Sequence, residues 1–246
     1  MNNEHRHYCP VCRQGVPGFE PIGWDFIALL NDVGYMQPIF QGETFDPVHY
    51  YCPCCKASDR DRLYALFLDQ YLNRLDKSIK QRFIDFAPAR QLSAFLRSFP
   101  FLDYRTADLL APGVDDRVDI MNMPVYGTGS IDLFLCSHVL EHVPDDRRAI
   151  AELFRILKPG GIGILMVPII LTLNETHEDP SITSPEERWK HFGQNDHLRV
   201  YAKSDFVNKA TEAGFKVHQM DVAVFGSANF IRHGIHRRSV LYVVGK

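Results

Sequence analysis

Four of the six cysteines fall into two short pairs, Cys9-Pro-Val-Cys12 and Cys52-Pro-Cys-Cys55. Two residues between thiols let a tight turn present both sulfurs to one ion, and zinc takes four tetrahedral thiolate or imidazole ligands. Each pair has proline directly after its first cysteine and a tyrosine (Tyr8, Tyr51) directly before it. The two halves therefore read as equivalent knuckles of one structural zinc site held by Cys9, Cys12, Cys52 and Cys55. The alternative is a reduced, buried set of thiols without metal. Cys54 is spaced wrongly for a knuckle, and Cys136 sits in an apolar run where cysteine acts as a small hydrophobe.

A second set of residues could serve a nucleoside-type ligand and its chemistry. Asp85, Asp108 and Asp119 each fall near a strand end, where a carboxylate can accept ribose hydroxyls or an exocyclic amine; Asp132 begins a further strand, and Ser137-His138 leaves its end. Singly, such acids read as caps or turn residues. His138 is the first candidate for a general base or substrate orienter, because an unperturbed imidazole titrates near neutrality. Glu141 and His142 follow three and four residues on, which places them on one face of a helical segment. His197 could add a further ligand from a distant stretch.

These residues need a scaffold, and the hydrophobic pattern supplies one. Leu63 to Leu75 has helical spacing and reads as a linking helix. Beyond it, strands at 82–86, 104–107, 118–120, 131–135 and 161–167 alternate with helices at 91–99, 147–157 and 203–213. Strands at 215–220 and 239–244 close the chain. Buried apolar strands alternating with helices imply α/β architecture with a doubly wound, mostly parallel sheet. The final strands, with no long helix between them, imply that the last one is antiparallel. In such sheets ligands sit outside the strands' carboxyl ends, near the reversal in strand order.

Composition bounds the rest. The chain has 246 residues, 46% hydrophobic and 23% charged, a net charge of −3 and a pI of about 6.4. No bulk charge favours nucleic acid. Through Arg62 the chain carries five basic against eight acidic residues, which favours a structural or substrate-covering role over RNA binding. The opening residues show no apolar signal region and no run is long enough to span a bilayer, so a cytoplasmic protein with no membrane partner is expected. A nicotinamide dehydrogenase is disfavoured, since no glycine fingerprint follows any strand.

The segments Gly129-Ser-Ile-Asp-Leu-Phe-Leu-Cys-Ser-His-Val-Leu-Glu-His-Val-Pro144 and Glu152-Leu-Phe-Arg-Ile-Leu-Lys-Pro-Gly-Gly161 resemble the central motifs of class I, type 11 methyltransferases. With the paired cysteines ahead and Asp-His-Leu-Arg-Val-Tyr201 behind, nearly the whole chain is similar to a bacterial family of zinc-ribbon-headed methyltransferases. The resemblance implies a Rossmann-like domain at 81–246, a linking helix at 63–80 and a zinc-ribbon-like module at 1–62. It implies S-adenosylmethionine as cofactor, held by Asp85, Ala87, Asp108, Asp119, Ile120, Ser137 and His138, with catalytic work at His138, Glu141, His142 and His197. One departure stands out. The loop Phe86-Ala-Pro-Ala-Arg90 has alanine at both usual glycine positions, and Pro88 removes an N–H donor. The related family favours Phe-Ala-Pro here, usually with Glu where this chain has Ala89.

His138, Glu141 and His142 also have the spacing of the metal-binding E-x-x-E-H motif of ubiquinone-pathway and small-RNA methyltransferases, with His in place of the first Glu. That resemblance implies a second divalent metal. The expected activity is methyl transfer to an oxygen or nitrogen of a small-molecule or glycan-type acceptor. The alternatives are an RNA methyltransferase gripping RNA through the zinc module, and a non-catalytic zinc-ribbon interaction protein on a methyltransferase scaffold. The long stretch from Pro168 to Val200 reads as a lid or binding segment.

Overall fold

The computed structural model describes residues 6–246; residues 1–5, part of the opening read as lacking a signal region, lie outside the described residues. A small antiparallel hairpin comes first, β1 (His7–Cys9) and β2 (Gln14–Val16). Helix α1 (Trp24–Asp32) and a 3-10 turn (Ile39–Gln41) follow. Helix α2 (Asp59–Leu72) starts four residues before the apolar spacing begins, because Ser58 and Asp61 cap each other's backbone N–H groups.

The main body then alternates: β3 (Gln81–Phe86), α3 (Arg90–Leu96), β4 (Leu102–Asp108), β5 (Asp116–Arg117), β6 (Ile131–Ser137), α4 (Asp146–Ile156) and β7 (Leu157–Met166). An insertion holds β8 (His177–Glu178), α5 (Pro185–Phe192) and β9 (Arg199–Val200), with β8 and β9 paired antiparallel. The chain ends with α6 (Lys203–Glu212), β10 (Lys216–Met220), the short helices α7 (Val222–Phe225) and α8 (Ser227–His233), and β11 (Leu241–Gly245).

Seven strands form one sheet in the order β10-β11-β7-β6-β3-β4-β5. Strand β11 pairs antiparallel with both of its neighbours and the other pairs are parallel, so one strand is reversed as expected. The order reverses between β3 and β6, and that switch point opens a crevice at their carboxyl ends. Central position makes β6 apolar on both faces, and Phe134 lies flat on β7. A Cβ at Gly163 would fall 2.1 Å from the Phe134 ring, so only glycine fits beneath it. One strand differs from expectation. The edge strand is Asp116–Arg117, and residues 118–120 instead lead into a turn closed by Asn122 N donating to Asp119 O.

The cysteine-bearing segment shares a continuous core with the sheet. Its anchor is Arg62, fully buried on α2, whose guanidinium lies 3.9 Å from the centre of the Phe19 ring. Arg62 donates to the carbonyls of Tyr50 and Ala57 at 3.0 Å, His233 at 2.7 Å, Gly234 at 2.8 Å, and also to that of His49. One side chain therefore ties the second knuckle to the end of α8. No helix among the described residues is long and apolar enough to cross a membrane.

Candidate functional site

The sulfurs of Cys9, Cys12, Cys52 and Cys55 lie within 4.8 Å of one another. Cys9 Sγ is 3.8 Å from Cys55 Sγ, and Cys12 Sγ is 3.9 Å from Cys52 Sγ. A tetrahedron with zinc–sulfur bonds of about 2.3 Å has edges of about 3.8 Å. Both knuckles turn in the same way. Arg13 and Lys56, each following the second cysteine, adopt left-handed φ values of 57° and 61° and donate N–H to Cys9 O and Cys52 O. Burial and the neighbouring sulfurs push the Cys12 thiol up to about 12. Four thiolates this close therefore need a cation before all can ionise. Cys54 is exposed and outside the group, and Cys136 is buried in β6.

At the switch point a cavity of about 190 Å³ is lined by Arg60, Asp61, Tyr64, Asp85, Ala87 and Ser137, among others. Asp85 is buried at the end of β3. Its Oδ2 accepts from Tyr104 Oη at 2.6 Å, while Oδ1 has no hydrogen-bond partner. Burial pushes its carboxyl up to about 7, against the lowering effect of the Tyr104 hydroxyl. Ser137 Oγ meets Tyr64 Oη at 2.8 Å. Ala87 adopts φ 52°, the conformation a glycine would supply, and donates its N–H to Ala107 O. A second depression beyond Ala87 reaches Thr106, Asp108 and Gly113. Asp108 Oδ1 accepts from Leu110 N and Ala111 N at 2.7 Å, and the two leucines beside it, Leu109 and Leu110, are exposed. Asp119 is half-buried in its turn, its Oδ1 accepting from Met121 N, and the Ile120 side chain is buried in the core. Asp132 stands apart at the amino-terminal end of the central strand β6, bound by Lys158 Nζ and Arg82 N.

A larger cavity, about 330 Å³, opens between the cysteine-bearing segment and the ends of β6 and β7. Its walls include Phe26, Tyr35, Phe45 and Tyr50 from the first segment and Ile169, Ile170 and Phe192 from the second. Arg60 and His138 line this cavity and the smaller one as well. Arg60 Nη1 lies 2.5 Å from His138 Nε2, and Nη2 donates to Tyr50 Oη at 3.2 Å. Since a guanidinium can only donate, His138 Nε2 accepts and its proton sits on Nδ1. Burial and the Arg60 charge push the His138 imidazole down to about 4. In this arrangement the ring is neutral and orients Arg60; its lone pair is not free to take a proton. His138 also holds a left-handed φ of 56°, which turns its side chain back toward the crevice.

Glu141 lies wholly buried behind His138. His138 Nδ1 is 3.0 Å from Glu141 Oε1, but off the line that a hydrogen bond requires, and both Glu141 oxygens lack a hydrogen-bond partner. One ligand atom each from Glu141, His142 and His197 lie within 4.8 Å of one another. His197 Nδ1 donates to Phe192 O at 3.1 Å, and His142 Nδ1 faces Asp196 Oδ2 at 3.2 Å. Each contact leaves the Nε2 lone pair of its ring exposed to a ligand, the tautomer metal-binding histidines take. His138 itself is not in this trio. The trio is held by Arg199, buried in the insertion, which donates to Leu140 O, Val143 O and Pro144 O while pairing with Glu178. Leu198 N adds a bond to Glu141 O at 2.8 Å.

Sequence reasoning missed Arg60 and Arg199 as site residues. Arg60 stands in a run of alternating charge, Asp59-Arg-Asp-Arg62, that matches no motif. A basic residue two positions after a helix cap and facing a strand-end histidine becomes visible only once α2 is laid across the sheet.

Residues 101–165 match the family described as a methyltransferase domain. Two proteins named as uncharacterized methyltransferases, from Mycobacterium sp. strains KMS and MCS, are each 40% identical over 53 residues. That stretch is 22% of this chain and 21% of each relative, so the match spans about a fifth of their length. Among solved structures, the cyclase SpnF superposes with a TM-score of 0.52 at 18% identity, over 92% of this chain and 97% of that one. The strand order and this superposition define a Rossmann-like α/β fold shared with that cyclase. Residues 101–165 at its centre are the part that matches the methyltransferase-domain family, and a cysteine cluster that fits a zinc-ribbon-like module precedes them. A relative named as a cyclase shows that this fold does not by itself fix a reaction.

Proposed function

We propose that the protein transfers a methyl group from S-adenosylmethionine to an oxygen or nitrogen of a small-molecule or glycan-type acceptor. The observation that carries this is Asp85 Oδ1, a buried carboxylate oxygen with no partner at the wall of the switch-point cavity. An unsatisfied buried acceptor costs about 1–3 kcal/mol and calls for a donor from a ligand. The α-ammonium of the cofactor is such a donor. Ala87 bends the loop as glycine would, and Asp108 stands over the second depression for the ribose, with Leu109 and Leu110 as an apolar flank for adenine. Bound there, the cofactor supplies an electrophilic methyl group, and catalysis then depends on aligning the acceptor with it. Arg60 and His138, which border both cavities, are the residues placed to do that aligning. Isothermal titration with S-adenosylhomocysteine tests the cofactor site: micromolar binding is expected in the wild type and weaker binding in Asp85→Asn, and no binding in the wild type or undiminished binding in Asp85→Asn would sink it.

Zinc at Cys9, Cys12, Cys52 and Cys55 belongs to the same proposal, supported by the tetrahedral sulfur spacing. So does a second divalent ion at Glu141, His142 and His197. What favours it is a fully buried carboxylate with neither oxygen hydrogen-bonded, beside two imidazoles whose other nitrogens are already engaged. Two histidines and a glutamate form a known zinc set that leaves a coordination position open. An ion held there polarises a hydroxyl acceptor. Metal analysis should find two ions in the intact protein after stripping and reloading and one in a protein with the four ligand cysteines replaced; one in the former and none in the latter removes this second site.

A further inference from the structure

We infer that the acceptor is a compact apolar or aromatic molecule carrying one anionic oxygen, seated between the cysteine-bearing segment and β7 with that oxygen on Arg60. The inference rests on the methyltransferase reading for the identity of this cavity as the acceptor side. It rests on the cavity's own walls for the chemistry of what enters.

Phe26, Leu30, Tyr35 and Phe45 line the space with Ile169 and Ile170, and Ile22, Ile39, Val167 and Phe192 extend the apolar surface. A sugar or a nucleotide brings hydroxyls or phosphates that need partners on every side, and buried polar groups left unpaired are costly. These walls offer few. Glu43 is already taken by Lys203 Nζ at 2.9 Å and Tyr242 Oη at 2.6 Å. His197 is bound to Phe192 O. Tyr35, Tyr51 and Gln194 offer only uncharged groups, and the one charge left without an ion pair in these walls is Arg60, with no carboxylate within ion-pair distance among the described residues and only His138 and Tyr50 as side-chain hydrogen-bond partners. Asp59 and Asp61 support its charge from along the helix but make no ion pair with it, so the guanidinium is open to an anionic ligand. Size agrees as well. A cavity of about 150 Å³ holds one benzene, so one of about 330 Å³ suits roughly two fused rings or a comparable alkyl length.

The anionic oxygen meeting Arg60 could belong to the acceptor or to the cofactor's carboxylate, because Arg60 borders both cavities. We assign it to the acceptor, since the smaller cavity already carries the carboxylates of Asp61 and Asp85, whereas the only carboxylate of the larger one, Glu43, is paired with Lys203. The test uses the full zinc-loaded chain and four probes by titration calorimetry: 6-hydroxy-2-naphthoate, 2-naphthol, glucose 1-phosphate and a short single-stranded RNA. S-adenosylhomocysteine is titrated separately. The naphthoate should bind, 2-naphthol about tenfold more weakly, and the other two not measurably. Ile39→Glu, which places a carboxylate on the half-buried rim, should weaken the naphthoate at least tenfold and leave S-adenosylhomocysteine unchanged. Arg60→Gln should remove the preference for naphthoate over naphthol. Glucose 1-phosphate or RNA binding as tightly as the naphthoate overturns the inference. So does Arg60→Gln weakening S-adenosylhomocysteine alone, which would give the anion to the cofactor. Naphthoate binding without S-adenosylhomocysteine binding would leave the cavity chemistry standing and sink the methyltransferase proposal instead.

Discussion

Two clusters of ligating side chains lie in this molecule, and they are built in opposite ways. The cysteine cluster is assembled from two copies of one local turn, each with its own left-handed residue and its own N–H to carbonyl bond. The Glu141, His142 and His197 cluster joins a strand-end turn to an insertion more than fifty residues away, and depends on Arg199 to hold the two together. The first has its geometry preset by short-range sequence. The second has its geometry set by tertiary packing around a buried, unpaired carboxylate. A structural metal suits the former and an exchangeable, functional one the latter.

Breaking the local cluster should have the largest effect. In Cys52→Ser the remaining three thiols lose the tetrahedral set, and the knuckle that Arg62 binds through Tyr50 O and Ala57 O loses its support. Zinc binding supplies about 10–16 kcal/mol to isolated fingers. Here Arg62 and the shared core retain part of the segment, so a loss of about 3–5 kcal/mol is expected. At about 2–4 °C per kcal/mol for a chain of this size, calorimetry should show Tm falling on the order of 10 °C, with the zinc content of this site lost. Unchanged Tm and metal content would mean that the four thiols serve only as buried packing.

Glu141→Gln distinguishes the two clusters more sharply, because the size of its effect depends on an ion. With divalent cation at a hundred times its dissociation constant, a bound site adds about 2.7 kcal/mol of stability. The wild type should gain roughly 5–10 °C in Tm on adding zinc or manganese, and the Gln variant should gain nothing. Without added cation the two should differ little, since despite its burial the Glu141 carboxyl is held below the usual range by His138, His197 and His142 around it. A variant less stable than wild type in chelator would show that the protein alone stabilises this carboxylate.

The contrast also explains what sequence could and could not reveal. The cysteine pairs were legible because their ligand geometry is encoded within four residues. The sheet was legible for the same reason: β3, β6 and β7 are near-continuous apolar runs, and His138 to His142 leaves the strand where the motif placed it. Arg60 and Arg199 were not legible, as their roles come from which distant carbonyls and rings surround them. Likewise nothing local said that His138 would face a guanidinium instead of a substrate proton. The edge strand was misplaced by two residues because Asp116 and Arg117 are polar and pair only with the end of β4.

Asp85 offers a third, smaller break, through pH. Its folded carboxyl is raised to about 7, above the ordinary value of about 3.9. The folded state therefore binds the extra proton, and stability should fall as pH rises from about 4 to about 7 and level off above. Cofactor binding runs the other way. An ammonium needs the ionised carboxylate, so S-adenosylhomocysteine affinity should drop nearly tenfold per pH unit below 7 and be flat above it. Asp85→Asn should weaken binding by roughly 30-fold at pH 8, about 2 kcal/mol for a charge-assisted bond, and abolish the pH slope. A slope that persists in Asn would assign the titration elsewhere.

The smallest expected effect concerns the loop that lacks glycine. Ala87 already takes the left-handed backbone that glycine normally provides, at φ 52°, which for a residue with a Cβ costs roughly 1–2 kcal/mol. Ala87→Gly relieves that strain but gives back about 0.4–1 kcal/mol by loosening the unfolded chain. Differential scanning calorimetry should therefore find a net gain near 0.5 kcal/mol, or about 1–2 °C in Tm. Cofactor affinity should change by less than threefold, because the path of the backbone stays the same and only a methyl group leaves the wall of the cavity. A gain in S-adenosylhomocysteine affinity beyond tenfold would mean that the methyl group obstructs the site. The cofactor cavity would then be a weakened relative of the glycine-lined one, and the acceptor-side cavity would remain as the better-formed half of the crevice.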